Sequence, residues 1–303
     1  MINVMITGKI MRQGIEILKK FANVKIIEEP SYNRIAEFLP ATDAILHKIG
    51  KLPAGLLNLG PNIQIIARHG VGLDDLDLNY IKSKGIKLTV TYKANTNAVA
   101  EFTMGLIINL NRSIMKAHNC LVLQRCWRRE ELMGEELYDK KLGLIGYGDI
   151  GQRLSDIGKI FRMKILVHDP YKDISDESIK NLPLDSLLKE SDIVSIHCPL
   201  NDETKNMLNK DKLSLMKKNA LLINTARGGI LDENTLFNML KEKKIAGAAL
   251  DVFSEEPPYL PEGINKIDNL ILTSHIAAMT QKTQITMSTM AAIEIKNHFR
   301  KSL

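Results

Sequence analysis

Residues 142–154 read LGLIGYGDIGQRL, so that Gly146, Gly148 and Gly151 fill the pattern G-x-G-x-x-G between an apolar run and a helical one. A glycine at the first place permits a tight turn, and at the second it lets backbone approach a pyrophosphate. At the third it lets the helix lie close on the strand, while the helix N-terminus turns its amides towards the anion. Alone the pattern is weak, because three glycines also mark an ordinary strand-to-helix turn. The next apolar run, KILVHD, ends in Asp169, 18 residues beyond Gly151. A carboxylate there accepts hydrogen bonds from the ribose hydroxyls of an adenine dinucleotide. It also repels a 2′-phosphate, and Lys172 is the one cation close behind it, so the pair favours NAD over NADP.

Working outward, short apolar runs recur on both sides of this turn. Before it they lie at Val4–Ile6, Val24–Ile27, Ala44–Leu46, Ile63–Ala67 and Ile86–Val90, separated by stretches of helical spacing such as Ile10–Phe21. From Lys141 a second series begins, at Leu142–Ile145, Ile165–Val167, Ile193–Ile196, Ala220–Ile223, Ala246–Leu250 and Leu270–Leu272. Strands that alternate with helices predict parallel sheets, here in two successive α/β units. Between the two series, NAVAEFTMGLIINLNRSIMKAH (97–118) reads as one long helix with Asn97 at its N-cap. Val99, Phe102, Leu106, Ile107 and Leu110 make it apolar on more than one face, which places it between domains or between subunits. A last helix is predicted over about Met279 to Phe299.

The composition narrows the function classes. A chain of 303 residues, 45% hydrophobic and 25% charged, is that of an ordinary globular protein of two domains. Its net charge of +6 is spread thinly as lysine, which points to a solvated surface and not to nucleic acid. No apolar run is long enough to cross a bilayer, and MINVMITGKI lacks the architecture of a signal peptide. Cys120, Cys126 and Cys198 form an odd set without metal-ligand spacing, which predicts unpaired, reduced thiols and a cytoplasmic location.

Three further strand ends carry chemistry. ALLINTARGGIL (220–231) puts Arg227 and two glycines just past a strand, where a guanidinium can grip a carboxylate with two parallel hydrogen bonds. AALDVFSEEPPYLP ends a strand in acidic residues, with Glu255 and Glu256 both available, and NLILTSHIAAMT ends another in His275. Each has a bland alternative: a solvent-facing arginine, loop charge, a packed histidine. Together, at the carboxyl ends of strands that share a dinucleotide crevice, they form a reaction set. His275 moves a proton, a glutamate holds its charged form, and Arg227 orients a carboxylate and polarises the neighbouring carbonyl. With hydride carried by the cofactor, that is the interconversion of a 2-hydroxy acid and a 2-oxo acid.

At this point the chain resembles the D-isomer-specific 2-hydroxyacid dehydrogenases along nearly its whole length. The resemblance rests on IIARHGVGLDDLD (65–77), ANTNAVAEFTMGLIINLNR (94–112), GYGDIG (146–151), HCPLNDET (197–204), INTARGG (223–229), LDVFSEEP (250–257) and TSHIA (273–277). It implies two Rossmann-like domains, each a doubly wound parallel sheet, joined by hinge helices. Residues 1–95 plus 277–303 would form a flavodoxin-like substrate-binding domain, and 96–276 the NAD-binding domain. It implies that Arg227 binds the substrate carboxylate and carbonyl, that Glu256 pairs with His275, and that His275 is the general acid/base. Val71 and Gly72, beside Gly70, would offer backbone amides to the carboxylate. Ile150 and its neighbours Gly146, Gly148, Asp149 and Gly151 would meet the pyrophosphate and Asp169 the adenosine ribose. Cys198 would line the adenine side, Thr225 and Ala226 the nicotinamide ribose, and Asp251 would accept from the carboxamide. A homodimer through the cofactor domains is also implied.

The departures from the family pattern refine these expectations. Many relatives carry a basic residue where this chain has Asp149. Glu256 in place of a glutamine argues against a formate dehydrogenase. His47 and Lys48 stand where phosphoglycerate dehydrogenases tend to carry an arginine, leaving Lys48 and Arg68 as the candidates for a substrate phosphate. The resulting expectation is a D-3-phosphoglycerate dehydrogenase-like enzyme of serine biosynthesis. Reduction of hydroxypyruvate or glyoxylate is the alternative, and a dinucleotide-sensing corepressor-like protein a distant third.

Overall fold

A computed structural model describes residues 1–300; residues 301–303, part of the expected first domain, lie outside the described residues. The chain divides into two compact units. Unit 1 holds Met1–Asn95 and the segment from Ala278 onward, and unit 2 holds Thr96–Ala277.

Unit 1 is a five-stranded sheet of β1 (Ile2–Thr7), β2 (Ala22–Ile27), β3 (Ala44–His47), β4 (Ile65–Arg68) and β5 (Lys87–Val90) in the order β2-β1-β3-β4-β5. All its ladders are parallel. The central strands β1, β3 and β4 are largely apolar and buried because both faces are covered, whereas the edge strands β2 and β5 carry exposed residues. Met5, Ile45 and Ile66 pack with Leu39, Leu52 and Leu56 on one side, while Val4, Ile6, Leu46 and Ile65 pack with Leu18, Ala291, Ala292 and Ile295 on the other. The last four of those partners include three from the final helix, Gln281–Arg300, which lies on β3, β4 and the helix Arg12–Lys19. Gly14 permits that packing: a Cβ there would stand 2.5 Å from the carbonyl oxygen of Ser288.

Unit 2 is a seven-stranded parallel sheet: β6 (Lys141–Ile145), β7 (Lys164–His168), β8 (Lys180–Asn181), β9 (Ile193–Ile196), β10 (Leu221–Asn224), β11 (Gly247–Leu250) and β12 (Leu270–Leu272). Their order, β12-β11-β10-β9-β6-β7-β8, reverses direction between β6 and β9, the doubly wound arrangement whose switch point opens beyond the carboxyl ends of the strands. β9, β10 and β11 are buried at every residue. A truncation such as Leu222→Ala within them costs on the order of 2–5 kcal/mol.

Several expectations are corrected. The long helix from Asn97 is two helices, Thr96–Asn111 and Ile114–Val122, parted at Ser113, which adopts a left-handed conformation with φ 51°. No glycine or proline marks the break. Asn97 lies within the first turn and is not the cap, and Ala100, Met104, Leu106 and Ile107 of the first helix join the unit 2 core. The strand β8 was not foreseen, being two residues long and exposed. Cys120 and Cys126, expected as free thiols, form a disulfide, because the chain after the second helix folds back until Cys126 N–H donates to the Cys120 carbonyl at 3.0 Å. Cys198 is free. Among the described residues no helix is long and apolar enough to cross a membrane.

Candidate active site

The glycine turn links β6 to the helix Asp149–Ile160, with Gly148 at the N-cap. Gly146 has φ 93°, and a Cβ on it would lie 2.7 Å from the amide nitrogen of Cys198. A Cβ on Gly151 would lie 2.4 Å from the carbonyl oxygen of Gly146, so helix and strand meet only because that residue has no side chain. Around Gly148 the protein leaves more than 4 Å clear. A cradle closed by protein at its first and third glycines and open at its second is what a pyrophosphate requires. Asp149 and Ile150 open the helix, and the acidic side chain of Asp149 is exposed there.

At the end of β7, the Asp169 carboxylate accepts from the backbone amides of Tyr147 (2.8 Å) and Tyr171 (3.0 Å). Both oxygens are thereby oriented while keeping lone pairs for ribose hydroxyls. Cys198 follows β9, and burial pushes its thiol up to about 11, which disfavours the nucleophilic thiolate.

The carboxyl ends of β10, β11 and β12 carry the polar set. Asn224 closes β10, accepting from Ala226 N–H at 3.0 Å and donating to the Arg227 carbonyl at 2.8 Å, which curls the chain around the strand end. Thr225 is fixed by a 2.9 Å contact with Thr103, and Arg227 donates to the Ala226 carbonyl at 2.6 Å. The glycines after Arg227 have distinct reasons. A Cβ on Gly228 would fall 1.8 Å from the carbonyl carbon of Phe253, so the loop after β11 lies directly against it, and Gly229 has φ 73°. That loop brings Glu256 back, its Oε1 accepting from Phe253 N–H at 3.2 Å.

Glu256 Oε2 lies 2.8 Å from His275 Nδ1. Burial works to raise the pKa of Glu256, but the bond from His275, the charge of that ring, the Phe253 amide and the Arg227 guanidinium together hold it below the usual carboxylate range. An ionised carboxylate only accepts, so Nδ1 carries the donated hydrogen. His275 itself is half exposed and left-handed, with φ 54°.

Residues 104–277, more than half of the chain, match the D-isomer specific 2-hydroxyacid dehydrogenase NAD binding domain. The chain belongs to the D-isomer specific 2-hydroxyacid dehydrogenases. The hydroxypyruvate reductase of Thermotoga maritima is 38% identical over 255 residues, 83% of this chain and 83% of that protein. The D-3-phosphoglycerate dehydrogenase of Methanocaldococcus jannaschii is 34% identical over all of this chain, which spans 58% of that protein. A crystal structure of D-lactate dehydrogenase from Aquifex aeolicus with NAD and lactic acid has a TM-score of 0.87 at 30% identity, over 99% of this chain and 96% of that one. Members of this 2-hydroxyacid dehydrogenase family are NAD-dependent oxidoreductases, and the turn and Asp169 of this chain fit that cofactor.

Within this dehydrogenase, unit 2 brings Arg227, Glu256 and His275 to three neighbouring strand ends of one sheet. The predicted substrate residues Lys48, Arg68, Gly70, Val71 and Gly72 belong to unit 1. Gly70 has φ 137°, and its N–H donates to Thr91 at 2.9 Å. Asp251 is fully buried, and its carboxylate accepts from Thr273 Oγ1 (2.6 Å) and from the Ile276 and Ala277 amides (2.9 Å each). Its role in shaping the His275 turn had no signal in the sequence. Neither did the ion pair of Arg68 with Asp75 (2.8 Å) or the contact of His47 with the same carboxylate (3.0 Å).

Proposed function

We propose that this chain interconverts a D-2-hydroxy acid and its 2-oxo acid with NAD, and that Arg227, Glu256 and His275 carry the reaction. The observation that supports this reading is the 2.8 Å His275–Glu256 pair at a strand end of the sheet that also holds the dinucleotide turn, with Arg227 close enough to lower the pKa of Glu256. NAD, when bound, supplies or accepts the hydride at carbon. Arg227 binds the substrate carboxylate through two N–H groups and draws electron density from the adjacent carbonyl. In reduction, His275 Nε2 delivers a proton to the carbonyl oxygen, and in oxidation it removes the hydroxyl proton. Glu256 keeps the ring oriented and stabilises its cationic form.

On this reading Asp169, Cys198, Thr225 and Ala226 face the cofactor, Asp251 lies behind them at the His275 turn, and the loop holding Gly70, Val71 and Gly72 supplies amides to the carboxylate. Two substrate classes stand within it, 3-phosphohydroxypyruvate for a place in serine biosynthesis and unphosphorylated acids such as hydroxypyruvate and glyoxylate. We also assign a homodimer through unit 2 and a cytoplasmic location. The dimer is supported by the exposed apolar residues Ile114, Leu121, Val122, Leu123, Trp127 and Met133 in one segment of unit 2. Light scattering of the purified protein tests it, a monomeric mass overturning it. The activity is tested by NADH oxidation against those acids and pyruvate, with NADPH as control. His275→Ala should lower kcat by roughly 10²–10⁴ while NADH still binds; no turnover on any 2-oxo acid by the wild type overturns the reading.

A further inference from the structure

Within unit 2, β7 and β9 lie parallel on either side of β6, so the loops that leave their carboxyl ends flank the glycine turn. Each loop is tied down in its own right. After β7, Asn181 Nδ2 donates to the Asp169 carbonyl at 3.1 Å, and the Tyr171 N–H donates to Asp169 Oδ1 at 3.0 Å. After β9, Asn201 Oδ1 accepts from the Glu203 and Thr204 amides at 3.0 and 2.9 Å, and Thr204 Oγ1 donates to the Pro199 carbonyl at 2.6 Å. One bond joins the two loops: the Tyr171 hydroxyl donates to Glu203 Oε2 at 2.5 Å.

An exposed glutamate is ordinarily a solvated charge. Glu203 is exposed but fixed, its backbone by Asn201 and its carboxylate by Tyr171. The bond to Glu203 and the charge of Glu203 raise the pKa of the Tyr171 hydroxyl, and the charge of Asp169 adds to the rise, so one phenol lies within reach of both carboxylates. The charge of Asp169 also adds to burial in raising the Cys198 thiol, on the β9 side. Two carboxylates therefore stand at the adenosine end of the dinucleotide turn. The ribose 2′-hydroxyl of NAD is neutral and can donate to Asp169, whereas a 2′-phosphate, with a charge of about −1.5 to −2, meets two like charges. Lys172, the residue after Tyr171, would by itself attract that phosphate, and Glu203 offsets it.

We propose that Glu203, anchored by the Tyr171 hydroxyl, is a second specificity-determining residue for the cofactor, acting with Asp169 to turn away the 2′-phosphate of NADP. The proposal rests on the reading above in which Asp169 faces the cofactor.

Fluorescence titration of the purified protein with NADH and with NADPH, without any 2-oxo acid, gives the ratio of the NADPH Kd to the NADH Kd. It is measured for the wild type and for Glu203→Gln, Tyr171→Phe, Glu242→Gln and Asp169→Ala. The wild type is expected to bind NADH the more tightly. Glu203→Gln keeps an acceptor for the Tyr171 hydroxyl and removes the charge, so the ratio should fall by about threefold or more at low ionic strength. The difference from the wild type should narrow as salt is raised. Tyr171→Phe releases the Glu203 carboxylate from its anchor and should move the ratio in the same direction. Glu242→Gln removes a charge where the helix Glu233–Lys241 ends, on the way to the amino end of β11, and should leave the ratio in place. A wild type without preference for NADH, an unmoved ratio in Glu203→Gln or Tyr171→Phe, a difference indifferent to salt, or an equal fall in Glu242→Gln overturns the proposal. Asp169→Ala decides the reading beneath it. If that variant binds NADH as tightly as the wild type, the assignment of Asp169 to the cofactor fails and the proposal with it; weaker NADH binding upholds that assignment whatever Glu203→Gln does.

Discussion

The backbone N–H of His275 donates to the carbonyl oxygen of Asp251 at 2.8 Å, and the Asp251 carboxylate accepts from the two amides that follow His275. One buried residue thus holds the turn in which His275 keeps its left-handed backbone, a conformation that costs a non-glycine residue on the order of 1 kcal/mol. Asp251→Asn would set an amide N–H₂ against an acceptor-seeking backbone N–H at one side. The expected result is a fall in kcat of about tenfold or more, with a smaller change in NADH affinity, since a displaced proton donor weakens the chemical step first. Stopped-flow turnover and fluorescence titration of NADH separate the two; loss confined to NADH affinity would assign Asp251 to the cofactor alone.

Glu256→Gln removes the charge that favours the His275 imidazolium and leaves a side chain of the same shape. The ring that Glu256 orients delivers the proton in reduction, so kcat for a 2-oxo acid should fall by about tenfold or more while NADH still binds. An unchanged kcat would break the assigned pairing.

Gly228→Ala places a Cβ inside the backbone of Phe253 and Ser254. The loop that carries Glu256 must move, at a cost of about 3 kcal/mol. A melting temperature lower by roughly 6 °C is expected, together with impaired turnover. Gly229→Ala is the instructive companion: its φ is positive, but a Cβ there meets only the flexible end of Leu200 at 3.8 Å, so it should be the milder variant.

Stability should fall on mild acidification. Burial lowers His69 to about 4, with Lys48 adding to the effect, and burial lowers His197 to about 4 as well. Between the ordinary value of about 6.5 and that level the unfolded chain binds protons that the folded chain refuses. The contribution of each ring is therefore complete above pH 6.5 and lost as pH falls towards 4, by about 3 kcal/mol apiece. Thermal melts at pH 7.5, 6 and 5 check the sign, and a flat series would contradict it.

Every strand but β8 was legible, because central parallel strands covered on two faces are dominated by apolar residues, as in LLIN of β10 and IVSI of β9. The glycine turn was legible for the same kind of reason, since each glycine answers to a local steric demand. The break at Ser113 was not, because Arg112 and Ser113 carry no breaker and the left-handed residue is imposed by packing. The Cys120–Cys126 bond was missed because a six-residue separation has no framework pattern of its own. Of the charged groups, Arg227 and His275 announced themselves by following strands, whereas the choice between Glu255 and Glu256 needed the family pattern. His47, Arg68 and Asp75 were the hardest. Their meeting depends on the register of β3 against β4, set by residues 21 positions apart and invisible in either segment alone.

Unit 1 is built from segments that lie before and after unit 2 in the chain, and this bears on how the protein is made. A ribosome that has released residues up to Ala277 has delivered everything unit 2 contains. The sheet of β1 to β5, synthesised first, still lacks the helix Gln281–Arg300, so Val4, Ile6, Leu46 and Ile65 lack Ala291, Ala292, Ile295 and Phe299 as cover. Strands made before unit 2 are therefore finished only after it, and in the interval they present an apolar face that a chaperone, or a neighbouring nascent chain, can reach.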